Sequence, residues 1–493
     1  MEAEQVTFDT MDTLKIKNYI NGEFCDPEDL SWLDNFEPAT GKVFSKVADS
    51  NENDVASAVE AAKNAFPMWS ALTQTQRSDL MFKVAQLILR DAEKLAICES
   101  RDNGKPVSLA ASMDIPRAAE NFHFFASAGL QFHSESYSMG KLGFNYVLRK
   151  PVGVAGTISP WNLPLYLFTW KIAPALVVGN TVVAKASEVT PYTATLLCEL
   201  FQEAGFPPGV FNLVHGTGPK VGAAIVSHPD VPLISFTGGT STGEQIARVA
   251  APMFKKISLE LGGKNPNIIF ADCDYDKMLE TTVRSSFTNQ GQICLCGSRI
   301  LVQDTLYDKF LEDFVAKTNE LKVGDPVEKD TRIGAVVSRA QYEKVLSYIL
   351  LAKNEGGKIL AGGKPVYDVN DRCKEGWFIQ PTIISGLDPY CRVNQEEIFG
   401  PVVSVLPFST EEEAITIANS TRYGLSATIW TENIKIAHRM ADAVKSGIVW
   451  INSWLIRDLR TPFGGMKDSG VGREGGEEAL RFFTEAKNVF VKL

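Results

Sequence analysis

The 493 residues are 45% hydrophobic and 22% charged, ordinary for a soluble globular protein and enough for two or three domains. The balance of 59 acidic against 49 basic residues, a formal charge of −10, argues against a nucleic-acid surface. Eight cysteines with one close pair, Cys294 and Cys296, and five scattered histidines exclude a dense disulfide scaffold and offer no zinc-ligand spacing, so a reducing, cytoplasmic setting and no metal are expected.

Met1–Val6 is acidic and has no apolar core, unlike a secretory signal or a transit peptide. Val55, Val59, Ala62 and Phe66 recur at helical spacing up to Pro67, and further helical runs cover Arg77–Ser100 and Met113–Leu130. Short β-rich runs follow at Val152–Ile158, Thr181–Ala184, Val210–Val214, Leu233–Thr237 and Asn267–Phe270, most separated by helical segments such as Thr193–Ala204 and Lys220–Ser227. That alternation predicts a parallel α/β sheet. The apolar window Ile172–Ala184 is interrupted by Pro174, Gly179, Asn180 and Thr181 and falls short of a membrane span. A boundary is expected near Gly262-Gly263, and a second α/β region then carries strands Arg299–Val302, Val402–Pro407, Ser426–Trp430 and Gly447–Ile451, with helices including Tyr307–Leu321 and Ile434–Val444.

The chemistry-bearing residues cluster at the ends of these runs. Ile158-Ser159-Pro160-Trp161-Asn162-Leu163-Pro164 closes the first strand with a Pro-bounded turn and holds the Asn162 amide at the sheet's carboxyl edge, where ligands bind. An amide fixed there donates to a developing oxyanion, an effect of about 2.7–4 kcal/mol per donor; an Asn chosen for its turn propensity is the alternative. Lys185 and Glu188 follow the second strand, where a carboxylate accepts from both ribose hydroxyls and repels a 2′-phosphate, favouring NAD over NADP. Neither Gly216-x-Gly218-x-x-x-Gly222 nor Thr237-Gly238-Gly239-Thr240-Ser241-Thr242-Gly243 has the dinucleotide fingerprint spacing, yet the second follows a strand and opens a helix whose N-terminus suits a pyrophosphate. Glu260 ends a strand-like run before Leu261-Gly262-Gly263-Lys264, a general base's position, with an exposed surface Glu the alternative. Gln290–Arg299 sets Cys294 among small residues and turn formers, and the thiol reads either as a nucleophile or as half of a buried pair with Cys296.

Taken in order, Pro160-Trp161-Asn162, Lys185-x-x-Glu188, Phe236-Thr237-Gly238, Glu260-Leu261-Gly262-Gly263-Lys264, the Cys294 segment, Glu397-x-Phe399-Gly400-Pro401 and Pro462-Phe463-Gly464-Gly465 resemble the aldehyde dehydrogenase superfamily, from about Ile20 to the C-terminus. The resemblance implies an α/β fold with a Rossmann-like NAD domain (14–129 and 151–262), an α/β catalytic domain (263–463) and a small β flap (130–150 and 478–493) that donates a strand to a neighbour in a homodimer or homotetramer. It implies that Cys294 attacks an aldehyde, that Asn162 and the Cys294 N–H stabilise the oxyanion, that NAD takes the hydride, and that Glu260 activates the hydrolytic water without transfer to coenzyme A. The implied cofactor contacts are Ile158, Ser159, Trp161, Lys185, Glu188, Gly218, Gly222, Phe236, Thr237, Gly238, Gly239, Glu260, Leu261, Glu397 on the nicotinamide ribose and Phe399 beside the ring. Gly239 departs from the Ser of many relatives. Cys296, two residues along an extended segment, is expected to point elsewhere.

Asn452-Ser453-Trp454-Leu455-Ile456-Arg457-Asp458-Leu459-Arg460, with Met113-Asp114-Ile115-Pro116-Arg117, is similar to the branch of that superfamily that oxidises 2-aminomuconate and 2-hydroxymuconate semialdehydes, which carry a carboxylate. The similarity assigns Arg117 and Arg457 to the substrate acid through charge-assisted bonds, and Leu163 and Trp170 to the tunnel wall. It favours the 2-aminomuconate form, found in tryptophan breakdown through kynurenine, over the 2-hydroxymuconate form of aromatic degradation. On the residues alone three alternatives stand: surface ion pairs for both arginines, a neutral aldehyde such as retinal in an apolar tunnel at Leu163, Leu167 and Trp170, or a recruited structural protein.

Overall fold

The computed structural model describes residues 14–493, so the reading of Met1–Val6 lies outside the described residues. Five parallel strands form the middle of an eight-stranded sheet, in the order Lys256–Glu260, Leu233–Thr237, Val154–Ile158, Thr181–Lys185, Phe211–Leu213. Antiparallel strands close both sides: Gly470–Val471 against Lys256–Glu260, and Asn18–Ile20 then Glu23–Cys25 beyond Phe211–Leu213. These strands form because they are short runs rich in β-branched residues, buried on both faces by helices as parallel strands require. Strand order reverses at Val154–Ile158, which makes the turn after Ile158 a topological switch point. Register then gathers the functional strand ends, because Ile158 lies opposite Lys185, Phe236 opposite Ile158, and Thr237 opposite Glu260.

A second, seven-stranded sheet runs Lys358–Ala361, Thr382–Ser385, Val402–Phe408, Arg299–Gln303, Pro266–Ile269, Ser426–Trp430, Ile448–Ile451, parallel except for its first edge strand. Separate apolar clusters cover its two faces, one around Phe310 and Phe314, the other around Phe408 and Met440. A third sheet stands apart, with Gly143–Pro151 paired to Ser136–Ser138 and, over nine residues, to Thr484–Lys492.

Four expectations need correcting. The first helix does not stop at Pro67 but runs Glu52–Ala71, because Pro67 faces solvent, where the carbonyl it leaves unpaired meets water, and the buried Trp69 anchors the last turn by donating to the Leu176 carbonyl. The run Arg77–Ser100 is two helices, Gln74–Arg90 and Ala92–Asn103, broken at Asp91. The strand expected at Asn267–Phe270 in the first series belongs to the second sheet. Residues 478–482 lie outside the flap sheet in the helix Gly476–Phe482, whose Ala479 and Leu480 pack into the core of the first unit, and the flap strand itself is Thr484–Lys492.

The edge strand Gly470–Val471 has a conformational requirement. Gly470 sits at φ +144°, and a Cβ there would come within 2.0 Å of the Leu259 carbonyl oxygen. Gly470→Ala is expected to destabilise the fold by about 2 kcal/mol and to displace neighbouring Glu260, read as a lower urea midpoint together with a lower kcat. A variant matching the parent in both would refute the tight approach.

Candidate active site

The turn after Val154–Ile158 and the segment Thr288–Arg299 meet face to face between the two large sheets. Asn162, 2% exposed, donates through Nδ2 to the Gln292 carbonyl at 2.9 Å, and Asn289 Nδ2 returns a bond of 2.9 Å to the Asn162 carbonyl. The second hydrogen of the Asn162 amide remains to be offered. Beyond the helix Tyr275–Phe287 the chain turns through three left-handed residues, Asn289, Gln290 and Gly291, which lift Cys294 to the crevice. Asn265 Nδ2 fixes the segment from below by donating to the carbonyls of Cys294 (2.6 Å) and Cys296 (2.9 Å).

The segment around Cys296 is a turn, not extended, because the Cys296 N–H donates to the Ile293 carbonyl at 2.9 Å. Cys296 is buried in an apolar cluster with Leu295 and Trp454, and burial pushes its thiol up to about 12. Cys294 is half-buried and lines the crevice. Burial first, then Glu260 and Glu397, push its thiol above the usual range, while Arg457 opposes them.

Glu260 is 4% exposed and its Oε1 has no hydrogen-bond partner within the described residues. Burial, then the neighbouring Glu474, hold its carboxyl well above the ordinary value, against the pull of Lys171, Arg457 and Arg473. A carboxyl so raised binds a proton more tightly than a free one and is the stronger base for it, the property required of a general base. Behind it, Lys171 Nζ pairs with Glu474 at 2.7 Å, a pair that the sequence reading did not find.

A cavity of about 200 Å³ joins Asn162 to Cys294, lined also by Trp161 and Leu261, by Thr237, Gly238 and Gly239 on one wall, and by Glu397 and Phe399 on the other; Glu260 lies outside this lining. Glu397 accepts from the Gly263 N–H at 2.9 Å, and Phe399 meets Trp161 edge to face with ring centroids 5.2 Å apart. Gln341 and Lys344 also line it. They stand on a helix, Arg339–Asn354, that the sequence reading missed, although Ser338 three residues before Gln341 is a capping signal. Ile158 and Phe236 do not line the cavity; both are packed in the core beneath it, with Gly238 against the Phe236 ring.

The residues present fit a dinucleotide. Two buried hydroxyls beside the crevice, Ser159 Oγ and Thr237 Oγ1, have no hydrogen-bond partner among the described residues, and the helix Thr240–Ala250 opens its N-terminus at Gly239. A Cβ on Gly239 would meet nothing within 4 Å, so the missing serine is not a steric requirement. At the far end Lys185 Nζ holds Glu188 at 2.9 Å. Burial pushes the Glu188 carboxyl up, but Lys185 and the N–H groups of Glu188 and Gly218 outweigh it and keep it below its usual value, an anion held ready to accept hydroxyl hydrogens. Gly222 packs beside Lys185.

On the other side of Cys294, Leu163, Tyr166, Leu295, Trp454 and Phe463 form an apolar wall, and Trp454 Nε1 anchors the 452–460 loop to the Leu295 carbonyl at 2.9 Å. Arg457 Nη1 donates to the Tyr166 hydroxyl at 3.2 Å, with its guanidinium 5.1 Å from the buried Trp170 ring and 3.9 Å from Phe463. Arg117 stacks on Tyr166 at 5.7 Å and pairs through Nε with exposed Glu120, while its buried Nη1 has no hydrogen-bond partner among the described residues. Both predicted arginines therefore converge on Tyr166, a residue the sequence reading did not single out.

The model of the aldehyde dehydrogenase family matches residues 24–489. Mouse 2-aminomuconic semialdehyde dehydrogenase is 51% identical over 97% of this chain and 98% of its own length. The 2-hydroxymuconic semialdehyde dehydrogenase of Pseudomonas sp. strain CF600 is 46% identical over 97% and 100%. The solved NAD+ complex of an aldehyde dehydrogenase from Bacillus cereus superposes with a TM-score of 0.94 at 41% identity, covering 97% of each chain.

The charges around Cys294 act in opposite directions on the thiol. Inactivation by iodoacetamide is expected to accelerate with rising pH, with the profile shifted to lower pH in Glu397→Gln and to higher pH in Arg457→Met. Superimposable profiles would mean that neither charge reaches the sulfur.

Proposed function

The chain belongs to the aldehyde dehydrogenase family, and from that premise we propose that its aldehyde is 2-aminomuconate 6-semialdehyde, oxidised to 2-aminomuconate in tryptophan breakdown through kynurenine. It is an NAD-dependent aldehyde dehydrogenase. One observation carries the choice of aldehyde: beside Tyr166, among the described residues, Arg457 has no carboxylate partner and the buried Nη1 of Arg117 has no hydrogen-bond partner. Two guanidiniums beside Tyr166 match the carboxylate of a semialdehyde acid, whereas a neutral aldehyde would leave them desolvated without compensation. The Arg117–Glu120 pair weighs little against this, because Glu120 is exposed. The identity to curated 2-aminomuconic enzymes supports the amino form. The 2-hydroxymuconate relatives support the hydroxy form as the second reading.

In the reaction we propose, the Cys294 thiolate attacks the aldehyde carbon, and the free hydrogen of the Asn162 amide, with the Cys294 N–H, receives the oxyanion. Thr237–Thr240, Glu188 and Glu397 would hold NAD, which would supply the hydride acceptor. As the alkoxide on the Cys294 adduct collapses, its C–H bond breaks with loss of hydride and a thioester remains on Cys294. Glu260 takes a proton from the water that attacks this ester, the thiolate leaves, and the acid is released. The Lys171–Glu474 pair behind Glu260 steadies its changing charge.

Homodimer or homotetramer assembly through the flap is part of the same reading. It is supported by exposed Tyr137, Leu142, Phe144 and Phe490 on the flap and by the open edge of Ile448–Ile451. No helix among the described residues is long and apolar enough to cross a membrane. The scatter of the eight cysteines supports the cytoplasm.

NADH formation from the semialdehyde acid and from its neutral ester is the test. Arg117→Ala and Arg457→Ala are each expected to lower kcat/KM for the acid about 10- to 100-fold, as loss of one charge-assisted bond predicts; Arg117→Ala leaves the ester within about twofold, and Arg457→Ala lowers the ester less than the acid, because that charge also acts on the Cys294 thiol. Equal losses on both substrates would refute the acid assignment, and turnover by Cys294→Ala would refute the nucleophile.

A further inference from the structure

One segment, Glu99–Lys105, grips the Asn162 turn at three points. Glu99, fully buried, accepts from the Leu165 N–H at 3.2 Å and so caps the helix Pro164–Val177 that follows the turn. Asn103 Nδ2 donates to the Trp161 carbonyl at 2.8 Å. Lys105 Nζ donates to the Asn162 carbonyl at 3.1 Å and pairs with Asp114, both side chains being 0% exposed. Asp114 immediately precedes the helix Ile115–Gln131, which carries Arg117.

A wholly buried ion pair is poor evidence of stability, because desolvating two charges offsets most of their attraction and an apolar pair of similar volume is often as stable. A functional account must explain why this one is aimed at the backbone of the residue that meets the oxyanion. The Asn162 carbonyl accepts from two sides, Lys105 below and Asn289 from the thiol segment, and these bonds fix the rotation of the residue whose amide points at the reacting oxygen. Oxyanion stabilisation tolerates little misplacement, since its donors act only when aimed beforehand.

We propose that the buried Lys105–Asp114 pair is a positioning device for the reaction, holding the Asn162 amide on the oxyanion and linking that turn to the helix that carries Arg117. Lys105 and Asp114 act through Asn162 and touch no reacting atom. The inference rests on the covalent mechanism, not on the identity of the aldehyde, so any aldehyde the enzyme turns over serves in the test.

Lys105→Met/Asp114→Leu removes both charges and leaves no orphan. It is expected to lower kcat about 30- to 300-fold with KM and iodoacetamide labelling of Cys294 within about twofold, and to add no further loss in an Asn162→Ala background, because the effect runs through Asn162. Should that double variant not fold, Asp114→Asn keeps the shape, leaves Lys105 a neutral acceptor, and carries the same comparison. Unchanged kcat in a folded variant, or losses that multiply with Asn162→Ala, would overturn the proposal.

Discussion

The reciprocal pair of hydrogen bonds between Asn162 and the segment Asn289–Gln292 is the constraint on which the site depends. One partner ends a strand of the eight-stranded sheet and the other precedes a strand of the seven-stranded sheet, so the bonds set the two large units in a single register. Both donors are amides in a buried, low-dielectric place, where leaving either unmatched costs about 1–3 kcal/mol. The units cannot slide apart by a fraction of an ångström without incurring that penalty. The oxyanion donor and the nucleophile therefore keep a fixed mutual geometry even though 132 positions separate Asn162 from Cys294 in the chain.

That geometry is held against local strain. Asn289 and Gln290 stand in the left-handed region at φ 54° and 57°, roughly 1–2 kcal/mol each for a residue with a side chain. Their side chains offset it: Asn289 bonds Asn162, and Gln290 Nε2 donates to the Ala335 carbonyl at 2.8 Å. Gly291 continues the same turn where a Cβ would lie 2.1 Å from the Gly400 oxygen, so the backbone passes directly beside the Glu397–Pro401 loop. Strain, thiol and cofactor-side carboxylate are consequences of one tight crossing.

Legibility in the sequence followed the range of the interactions. The strands could be read because each is a short apolar, β-branched run buried on both faces, and Asn162, Glu260 and Cys294 could be read because each sits in its own local motif at a strand or helix end. Helix ends were less legible: nothing near Pro67 announces that Trp69 is tied to Leu176, 107 positions away. The supporting residues were invisible for the same reason. Glu474 matters because it meets Lys171 across 303 positions, and Tyr166 because Arg457 reaches it across 291. Lys105 lies nine residues from Asp114, yet its target is the carbonyl of Asn162, 57 positions on. Gln341 and Lys344 belong to a helix whose apolar stripe is weak. Cys296 was expected to turn away by strand alternation, and is instead folded into a turn and sealed in the apolar wall.

Arg457 joins the two halves of the chemistry. Its field eases ionisation of Cys294 and opposes the raised carboxyl of Glu260, while its Nη1 rests on the Tyr166 hydroxyl, where the proposed substrate acid would lie. A carboxylate bound there would neutralise much of that field, so the acid proposed to pair with Arg457 would also withdraw its help from the thiolate. Ionisation must then be supported at the moment of attack, when negative charge moves from sulfur to oxygen. In the proposed mechanism the donors that meet this charge are the amide of Asn162 and the Cys294 N–H, and the Asn162 amide is held by bonds to the thiol segment that do not involve Arg457. The site can hold a cation for a substrate acid beside its nucleophile because its oxyanion donors do not depend on that cation.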